Sequence, residues 1–184
     1  MTELTKINAV RTLETECRDL FTRLEALQNE IREKLLFYAD DKQLKGNELV
    51  GWLGEIYGKL LFDGMLVGDH EEHDFVATVN SQAYRVSVKT RKGWKAGWHR
   101  TSAIPRIHEL DCPTHLLFVH LNDDYSIDRM WLYEWGYLLF TQRFKEHSVR
   151  GKVRHYIFNV DEFRDVDRIV YAGNTNSSFT LVQG

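Results

Sequence analysis

The chain has few cysteines and no long apolar segment. Its two cysteines, Cys17 and Cys112, lie far apart and form no CxxC pair. This pattern argues against a structural zinc site and against a disulfide framework, and it fits a reducing compartment. The N-terminal segment is polar, and no apolar run has the length of a signal peptide or a membrane span. We therefore expect a soluble cytoplasmic protein.

Carboxylates are missing from residues 75–108, although the whole chain has a formal net charge of −3. The net charge argues against a protein that coats nucleic acid without selection. The acid-free stretch nevertheless carries many cations: Arg85, Lys89, Arg91, Lys92, Lys95, Arg100 and Arg106. A run of one charge sign predicts an electropositive face for a polyanion. The alternative is an ordinary solvated strand and loop.

The length of 184 residues fits one domain with a helical extension, and a hydrophobic content of 43% is enough to bury a core. Apolar residues recur at helical spacing through residues 10–36: Leu13, Cys17, Leu20, Leu24, Leu27, Ile31 and Leu35. We predict an amphipathic helical arm over residues 1–40 and the main domain over residues 41–184. The arm either packs on the domain or pairs with its copy in a dimer.

The main domain is predicted to be α/β, because helical and strand patterns alternate along it. The predicted helices cover residues 47–62, 102–110 and 135–144. The predicted strands cover residues 74–79, 84–90, 116–119, 127–133 and 153–160, with a hairpin turn at Asn80, Ser81 and Gln82. The apolar run at 116–119 is typical of a central strand that is covered on both faces.

The predicted helix at residues 47–62 contains three glycines, Gly51, Gly54 and Gly58, around Glu55. Each interior glycine costs about 1 kcal/mol relative to alanine, so the set needs a compensating reason. One explanation is that Gly51 and Gly58 let the helix backbone approach the sheet and leave space around the carboxylate. The alternative is close packing with Glu55 paired to Lys59 one turn later. The helix alone does not separate these two.

The predicted hairpin adds further polar residues. Asp74 opens its first strand and Lys89 closes its second, with Ser87 on the same face as Lys89. Mg²⁺ needs hard oxygen ligands in octahedral geometry and usually keeps several waters. Two carboxylates, a main-chain carbonyl and a substrate phosphate would supply such a site. A nearby lysine can position the attacking water or neutralise charge on the phosphate.

This order of elements resembles the PD-(D/E)xK nuclease superfamily, which includes many restriction endonucleases. The matching segments are GWLGEIYGKLLF, EEHDFVATV and YRVSVKTRKG, and the resemblance spans residues 47–121. It implies a restriction-endonuclease-like fold with a mixed central sheet flanked by helices. Position by position, it implies that Asp74 is a metal ligand, Lys89 the catalytic lysine and Glu55 the helix acid. The main-chain carbonyl of Val88 would be a further ligand.

One position departs from the family pattern, because Ser87 occupies the place of the second acid. A serine hydroxyl lacks the full charge that Mg²⁺ favours. We expect Glu55 to supply the missing carboxylate beside Asp74, with Ser87 at most hydrogen-bonded to a metal water. The alternative is a degenerate site that only binds nucleic acid.

Residues 91–100 follow Lys89 and combine cations, glycines and tryptophans. Cations meet phosphates, glycines allow close approach, and tryptophans stack on bases. We predict DNA contacts from Arg91, Lys92, Trp94, Lys95, Trp98, His99 and Arg100. The alternative for the two tryptophans is a place in the core.

These features together predict a Mg²⁺-dependent DNA endonuclease of restriction or repair type, with Mn²⁺ as a substitute metal and no small-molecule cofactor. A homodimer would bring two sites to the two strands of palindromic DNA. One rival is a non-catalytic nucleic-acid-binding module on the same scaffold. Another is an interaction protein that acts through the N-terminal helix.

Overall fold

The computed structural model describes residues 19–20, 22–24, 26–40, 42, 49–68, 71–93, 101–104, 113–122, 125, 127–149 and 152–173. Helical backbone at residues 19–20, 22–24 and 26–36 forms α1. Two further helices are α2 (Leu49–Leu61) and α3 (Trp135–Phe140). The strands are β1 (Met65–Leu66), β2 (Phe75–Val79), β3 (Gln82–Lys92), β4 (Thr101–Ile104), β5 (His115–Leu121), β6 (Ile127–Glu134), β7 (Lys145–Val149), β8 (Lys152–Asn159) and β9 (Ile169–Ala172). None of the described helices is long and apolar enough to cross a membrane.

The protein is a mixed α/β structure built on a six-stranded sheet. The strand order is β1-β2-β3-β5-β6-β9, in which only β3 and β5 run parallel and the other pairs are antiparallel. The β2–β3 hairpin turns at Asn80 and Ser81, whose φ angles are 49° and 65°. Positive φ at both central residues gives the turn the twist that antiparallel strands need. The predicted hairpin is therefore confirmed, with β3 longer than expected at both ends.

The central strand β5 is buried on both faces from Leu116 to Leu121, as its apolar pattern predicted. One face of the sheet packs against α2, where Val86, Val88 and Leu117 meet Leu53 and Ile56 of the helix in one core. The other face carries a second core, which contains Phe118 and the buried tryptophans Trp131 and Trp135. This second face is covered largely by a three-stranded sheet of order β4-β8-β7. The expectation of a mixed sheet is thus correct. The layer on this face is a sheet instead of the expected helices, and the strand predicted as an edge strand over residues 153–160 is its middle strand β8.

Part of the second sheet lies where a helix was predicted. Residues 102–110 were expected to be helical, but Thr101–Ile104 is a strand that pairs antiparallel with β8. Ser102 and Ile104 are buried while Ala103 between them is exposed, which is the two-residue period of a strand. Their register partners are Phe158 and Tyr156, both buried. Pairing with a distant strand overrides the local helical preference, and residues 105–110 lie outside the described part.

Helix α3 is shorter than predicted, because it ends at Phe140 instead of residue 144. Gln142 adopts a φ of 54°, which a continuing helix does not allow. The chain then turns back, so that the ring of Phe144 stacks on Tyr156 of β8 at a centroid distance of 5.4 Å. Burial of this aromatic ring on the second sheet explains why the helix stops early.

Helix α1 joins the domain through its C-terminal end. Leu35 packs against the core, Ala39 is fully buried, and the Arg32 guanidinium lies 5.3 Å from the ring centre of Trp52 in α2. The apolar residues earlier in the helix are about half exposed: Leu20, Leu24 and Leu27. One end of the predicted arm therefore packs on the domain. Pairing of the arm with a second copy stays a prediction, and residues 1–18 lie outside the described part.

An ion pair under the second sheet fixes the C-terminal segment. Both guanidinium nitrogens of Arg143 donate to the carboxylate of Asp165, at 2.8 and 2.7 Å, and the Asp165 side chain is 3% exposed. The Tyr133 hydroxyl at 3.0 Å and the Asp161 N–H at 2.8 Å donate to the same carboxylate. Burial raises the pKa of Asp165, but these donors and the Arg143 charge outweigh it and leave the pKa below its usual value. Asp165 is therefore a charged group that the fold has fully paired.

Candidate active site

The sheet has an open edge beside the second half of β3. Strand β2 begins at Phe75, which pairs with Val86, while β3 continues to Lys92 with β5 on its other side. Within the described residues, no strand pairs with residues 87–92 on the side that β2 leaves. Side chains from both faces of the sheet can meet at such an edge.

Asp74 lies at this edge and is held by the backbone of β3. Its N–H donates to the Val86 carbonyl at 2.8 Å, and its carboxylate Oδ2 accepts from the Val88 N–H at 2.7 Å. Asp74 is therefore bonded to Val86 and Val88, the residues on either side of Ser87. Its carboxylate accepts the hydrogen bond that the backbone of a longer β2 would otherwise accept from Val88. The N–H and C=O of one strand residue point to the same side. The Val88 carbonyl consequently faces the edge where Asp74 lies, as the predicted ligand set requires.

Helix α2 approaches the same edge very closely at Gly54. A Cβ at residue 54 would overlap Thr90 Oγ1 and lie 2.9 Å from Thr90 Cβ. At Gly58 a Cβ would lie 2.6 Å from Leu117 Cδ2 and 2.9 Å from Phe75 Cε1. These distances are shorter than carbon atoms tolerate. Of Gly51 and Gly58, which were predicted to let this helix approach the sheet, Gly58 does so, and Gly54 makes a still closer approach that was not predicted.

Glu55 forms an ion pair, but not with the residue that the sequence suggested. Its Oε2 accepts from Lys42 Nζ at 2.8 Å, and both side chains are less than one-fifth exposed. The alternative of a pair between Glu55 and Lys59 is wrong. Lys59 instead contacts Asp40 Oδ1 at 2.5 Å and donates to the Tyr38 carbonyl at 3.0 Å. The turn after α1 competes for Lys59 and supplies Lys42 to Glu55.

Glu55 also responds to the charges of Asp74 and Lys89. Burial raises the pKa of Glu55, the negative charge of Asp74 raises it further, and Lys42 and Lys89 lower it, so that it stays above its ordinary value. The half-buried Lys89 makes no hydrogen bond or ion pair with the part of the chain that is described. The contact between Gly54 and Thr90 joins the two elements that carry Glu55 and Lys89, each one residue from that contact.

The donor set fits a hydrated Mg²⁺ ion better than a metal held by protein ligands alone. Among the described residues, no group of three or more His, Cys, Asp and Glu side chains could hold a metal. Ser87, in the place of the family's second acid, is 3% exposed and brings no charge. Mg²⁺ commonly uses one or two carboxylates, several waters and substrate phosphates. Glu55, Asp74 and the Val88 carbonyl match that minimal set.

The predicted DNA-binding residues are described only at the start of the loop. Arg91 is exposed, and the Lys92 ammonium lies 4.0 Å from the ring centre of Tyr125. Such a cation–π contact keeps Lys92 directed towards Tyr125. The other predicted contacts lie outside the described residues: Trp94, Lys95, Trp98, His99 and Arg100.

The start of this loop is anchored by residues that the sequence analysis missed. Gly93 has a φ of 76°, which favours glycine, and its N–H donates to the Leu121 carbonyl at 2.9 Å. The fully buried ring of His120 lies 3.2 Å from the Gly93 carbonyl through Nε2 and 2.9 Å from Asp128 Oδ2 through Nδ1. In the sequence, only Gly93 could have indicated this anchor, because a glycine at the end of a strand often adopts a positive φ. Nothing in the local sequence indicated His120 or Lys42.

Comparisons with known proteins do not assign the chain to a family. The scan against protein-family models found no match, and the search of the curated proteins also found none. What this site does must therefore be inferred from its own geometry.

Proposed function

We propose that the chain is a Mg²⁺-dependent endonuclease of restriction or repair type, which hydrolyses phosphodiester bonds in DNA on a restriction-endonuclease-like scaffold. The observation that carries this proposal is the Asp74 carboxylate fixed on the Val88 N–H at the open edge of β3, the strand that carries Lys89, with Glu55 next to the glycine of α2 that touches this strand. An acid on a helix, an Asp at a strand start and a Lys in the next strand follow the order of the PD-(D/E)xK superfamily. The parallel, fully buried strand β5 after the hairpin agrees with that order as well.

Each residue has a separate task in this proposal. Glu55, Asp74 and the Val88 carbonyl would hold Mg²⁺, which would supply Lewis-acid activation of the phosphate and of a water molecule. The Val88 N–H fixes the orientation of Asp74. Lys89 lies on the strand that fixes Asp74, and its ammonium would contact a phosphate oxygen. There it stabilises the negative charge that builds up in the transition state.

The placement of positive charge also favours a polyanionic substrate. Arg91 follows Lys89 on the same face of β3 and is exposed, and the acid-free stretch continues beyond it in the sequence. Phosphate contacts from such residues hold the backbone in register while the scissile bond lies over the two carboxylates. The substrate is then an extended polynucleotide instead of a small phosphate ester.

A non-catalytic nucleic-acid-binding module is the second candidate, and Ser87 is the observation that favours it. This buried serine stands where the superfamily pattern has an acid. The site therefore has two carboxylates, and the third acidic position of the pattern is uncharged. The two candidates differ in their dependence on metal. Only the nuclease needs a divalent ion to change its DNA substrate.

The test is incubation of the purified full-length protein with supercoiled plasmid in Mg²⁺, Mn²⁺ or EDTA. Glu55→Gln keeps the shape of the side chain and removes its charge, so it should lose metal-dependent cleavage. Ser87→Ala removes only a hydroxyl and should keep most of the activity, which makes it the matched control. Circular dichroism confirms that both variants are folded.

Three outcomes distinguish the candidates. Discrete bands with the divalent ions, and none with EDTA, support a sequence-specific nuclease. An active Glu55→Gln together with an inactive Ser87→Ala would contradict the assignment of Glu55. Binding of DNA without cleavage under all three conditions would favour the binding module.

A further inference from the structure

Lys42 and Glu55 form an ion pair that is largely withdrawn from water at the candidate site. The two side chains are only 11% and 18% exposed, and their charged atoms are 2.8 Å apart. An exposed pair of this kind would contribute little, whereas a pair withdrawn from water requires each partner for the other's charge. Lys42 therefore stands where the candidate site needs a cation.

The backbone that carries Lys42 is fixed to the domain. The Lys42 N–H donates to the Ala39 carbonyl at 2.8 Å, and Ala39 is fully buried. Asp40 contacts Lys59 of α2 and accepts from the Leu66 N–H of β1 at 2.9 Å. The turn after α1 is thus held on both α2 and β1, and it presents Lys42 to Glu55.

The Lys42 ammonium occupies space beside the Glu55 carboxylate that a bound metal ion would need. Mg²⁺ binds carboxylate oxygens at about 2.0–2.1 Å in a nearly ideal octahedron. An ammonium 2.8 Å from Glu55 Oε2 would lie beside that ion and repel it in a partly buried setting. The ammonium and the divalent ion therefore compete for the same carboxylate.

We propose that Lys42 is a built-in counter-ion that a divalent cation displaces from Glu55, so that Lys42 sets the metal affinity of the site. This inference rests on the proposed function, because it takes Glu55 and Asp74 as the metal-holding carboxylates. In the metal-free protein Lys42 holds the Glu55 side chain in place. When metal enters, the ammonium moves off the carboxylate and the affinity is lower than it would be without it.

The experiment measures Mn²⁺ binding to the full-length protein by isothermal titration calorimetry, without DNA. Lys42→Gln keeps a hydrogen-bond donor and removes the charge, and it should bind Mn²⁺ about tenfold more tightly, a change of the size that contacts around metal ligands produce. Lys42→Met should shift the affinity in the same direction. Lys42→Arg keeps the charge and should bind as weakly as the unmodified protein. Lys34→Gln is the matched control, because Lys34 and its partner Glu30 are exposed on α1.

A second set of variants tests whether the effect passes through Glu55. In a Glu55→Gln background, Lys42→Gln should no longer tighten binding. Unchanged or weaker binding in both Lys42→Gln and Lys42→Met would overturn the counter-ion role while the metal site itself stands. Tighter binding that persists without the Glu55 charge would also overturn it. If neither the unmodified protein nor any variant binds Mn²⁺, the proposed metal site is wrong and the counter-ion role of Lys42 is wrong as well.

Discussion

The close approach of α2 to β3 allows a stability prediction whose sign is opposite to the usual one. Replacing a helical glycine by alanine normally stabilises a helix by about 1 kcal/mol. At Gly54 the added Cβ would overlap Thr90 Oγ1 and lie 2.9 Å from Thr90 Cβ. Thr90 belongs to a strand that is paired with β5, so its backbone cannot move away freely. We therefore expect Gly54→Ala to destabilise the protein.

The magnitude follows from two opposing contributions. Inserting a methyl group into a packed contact costs about 1–3 kcal/mol, and the overlap with Thr90 argues for the upper end. The helical preference of alanine returns about 1 kcal/mol, which leaves a net loss of roughly 2 kcal/mol. For a chain of this size that loss lowers the melting temperature by roughly 4–8 °C. Urea denaturation followed by circular dichroism measures the same difference at 25 °C.

A double-mutant cycle identifies the contact responsible. Thr90→Ala removes the overlapping oxygen, so Gly54→Ala should cost less than about 1 kcal/mol in that background, a coupling within the range for neighbouring residues. If Gly54→Ala proves as stable as the unmodified protein, helix and strand are not in contact as described. An equal cost in both backgrounds would show that Thr90 is not the obstacle.

Three further predictions concern other parts of the molecule. Lys89→Ala should abolish plasmid cleavage while DNA affinity in gel-shift assays stays within a few-fold, and retained cleavage would remove Lys89 from the mechanism. Arg91→Ala should lower the slope of log K against log salt by roughly 0.9 for duplex DNA. Lys92→Ala, whose ammonium already lies over Tyr125, should change that slope less; equal changes would contradict this distinction. Asp165→Asn should cost about 3 kcal/mol at neutral pH, because Arg143 loses its paired charge. The folded pKa of Asp165 is depressed, so its contribution is present above the unfolded value of about 3.9 and is lost as pH falls through the folded value. The stability gap in urea titrations should therefore narrow below about pH 4, and a gap that widens there would refute this assignment.

Elements whose pattern is set by nearby residues could be predicted from the sequence. The hairpin of β2 and β3, the buried strand β5 and the strand β6 follow from local alternation or apolar runs. Helix α2 also follows. It ends at Leu61, just before the predicted stop at Asp63 and Gly64, where Asp63 adopts a φ of 48° and the Gly64 N–H donates back to the Lys59 carbonyl at 2.8 Å. In these segments the local preference and the final packing agree.

The errors lie where distant segments decide the structure. Strand β4 forms because β8 offers it a partner more than fifty residues later in the chain, and the local sequence carries no trace of that pairing. Strand β7 is an exception, because its partner β8 follows directly in the chain; it was missed because its segment, KEHSV, is mostly polar and lacks an apolar alternation.

The candidate site also combines residues that the sequence could predict with one that it could not. The sequence could propose Glu55, Asp74 and Lys89, because their spacing follows a known order of elements. It could not propose Lys42 as the partner of Glu55, since Lys59 satisfies the simpler rule of one helical turn. The pairing depends on Asp40, which takes Lys59 for itself. Ion pairs between a turn and a helix depend on how the folded chain places them, so spacing along the sequence does not indicate them.

The strand pairing of β4 also has a consequence for the time at which the site is completed. The connection between β3 and β5 passes through β4, whose only described ladder is with β8, and β8 begins at Lys152 in a chain of 184 residues. During synthesis the β2–β3 hairpin can form early, because its partners are adjacent, but β4 has no strand to join until most of the chain has been made. A nascent chain that ends before Lys152 would therefore carry Glu55, Asp74 and Lys89 without the strand pairing that holds β4 in place.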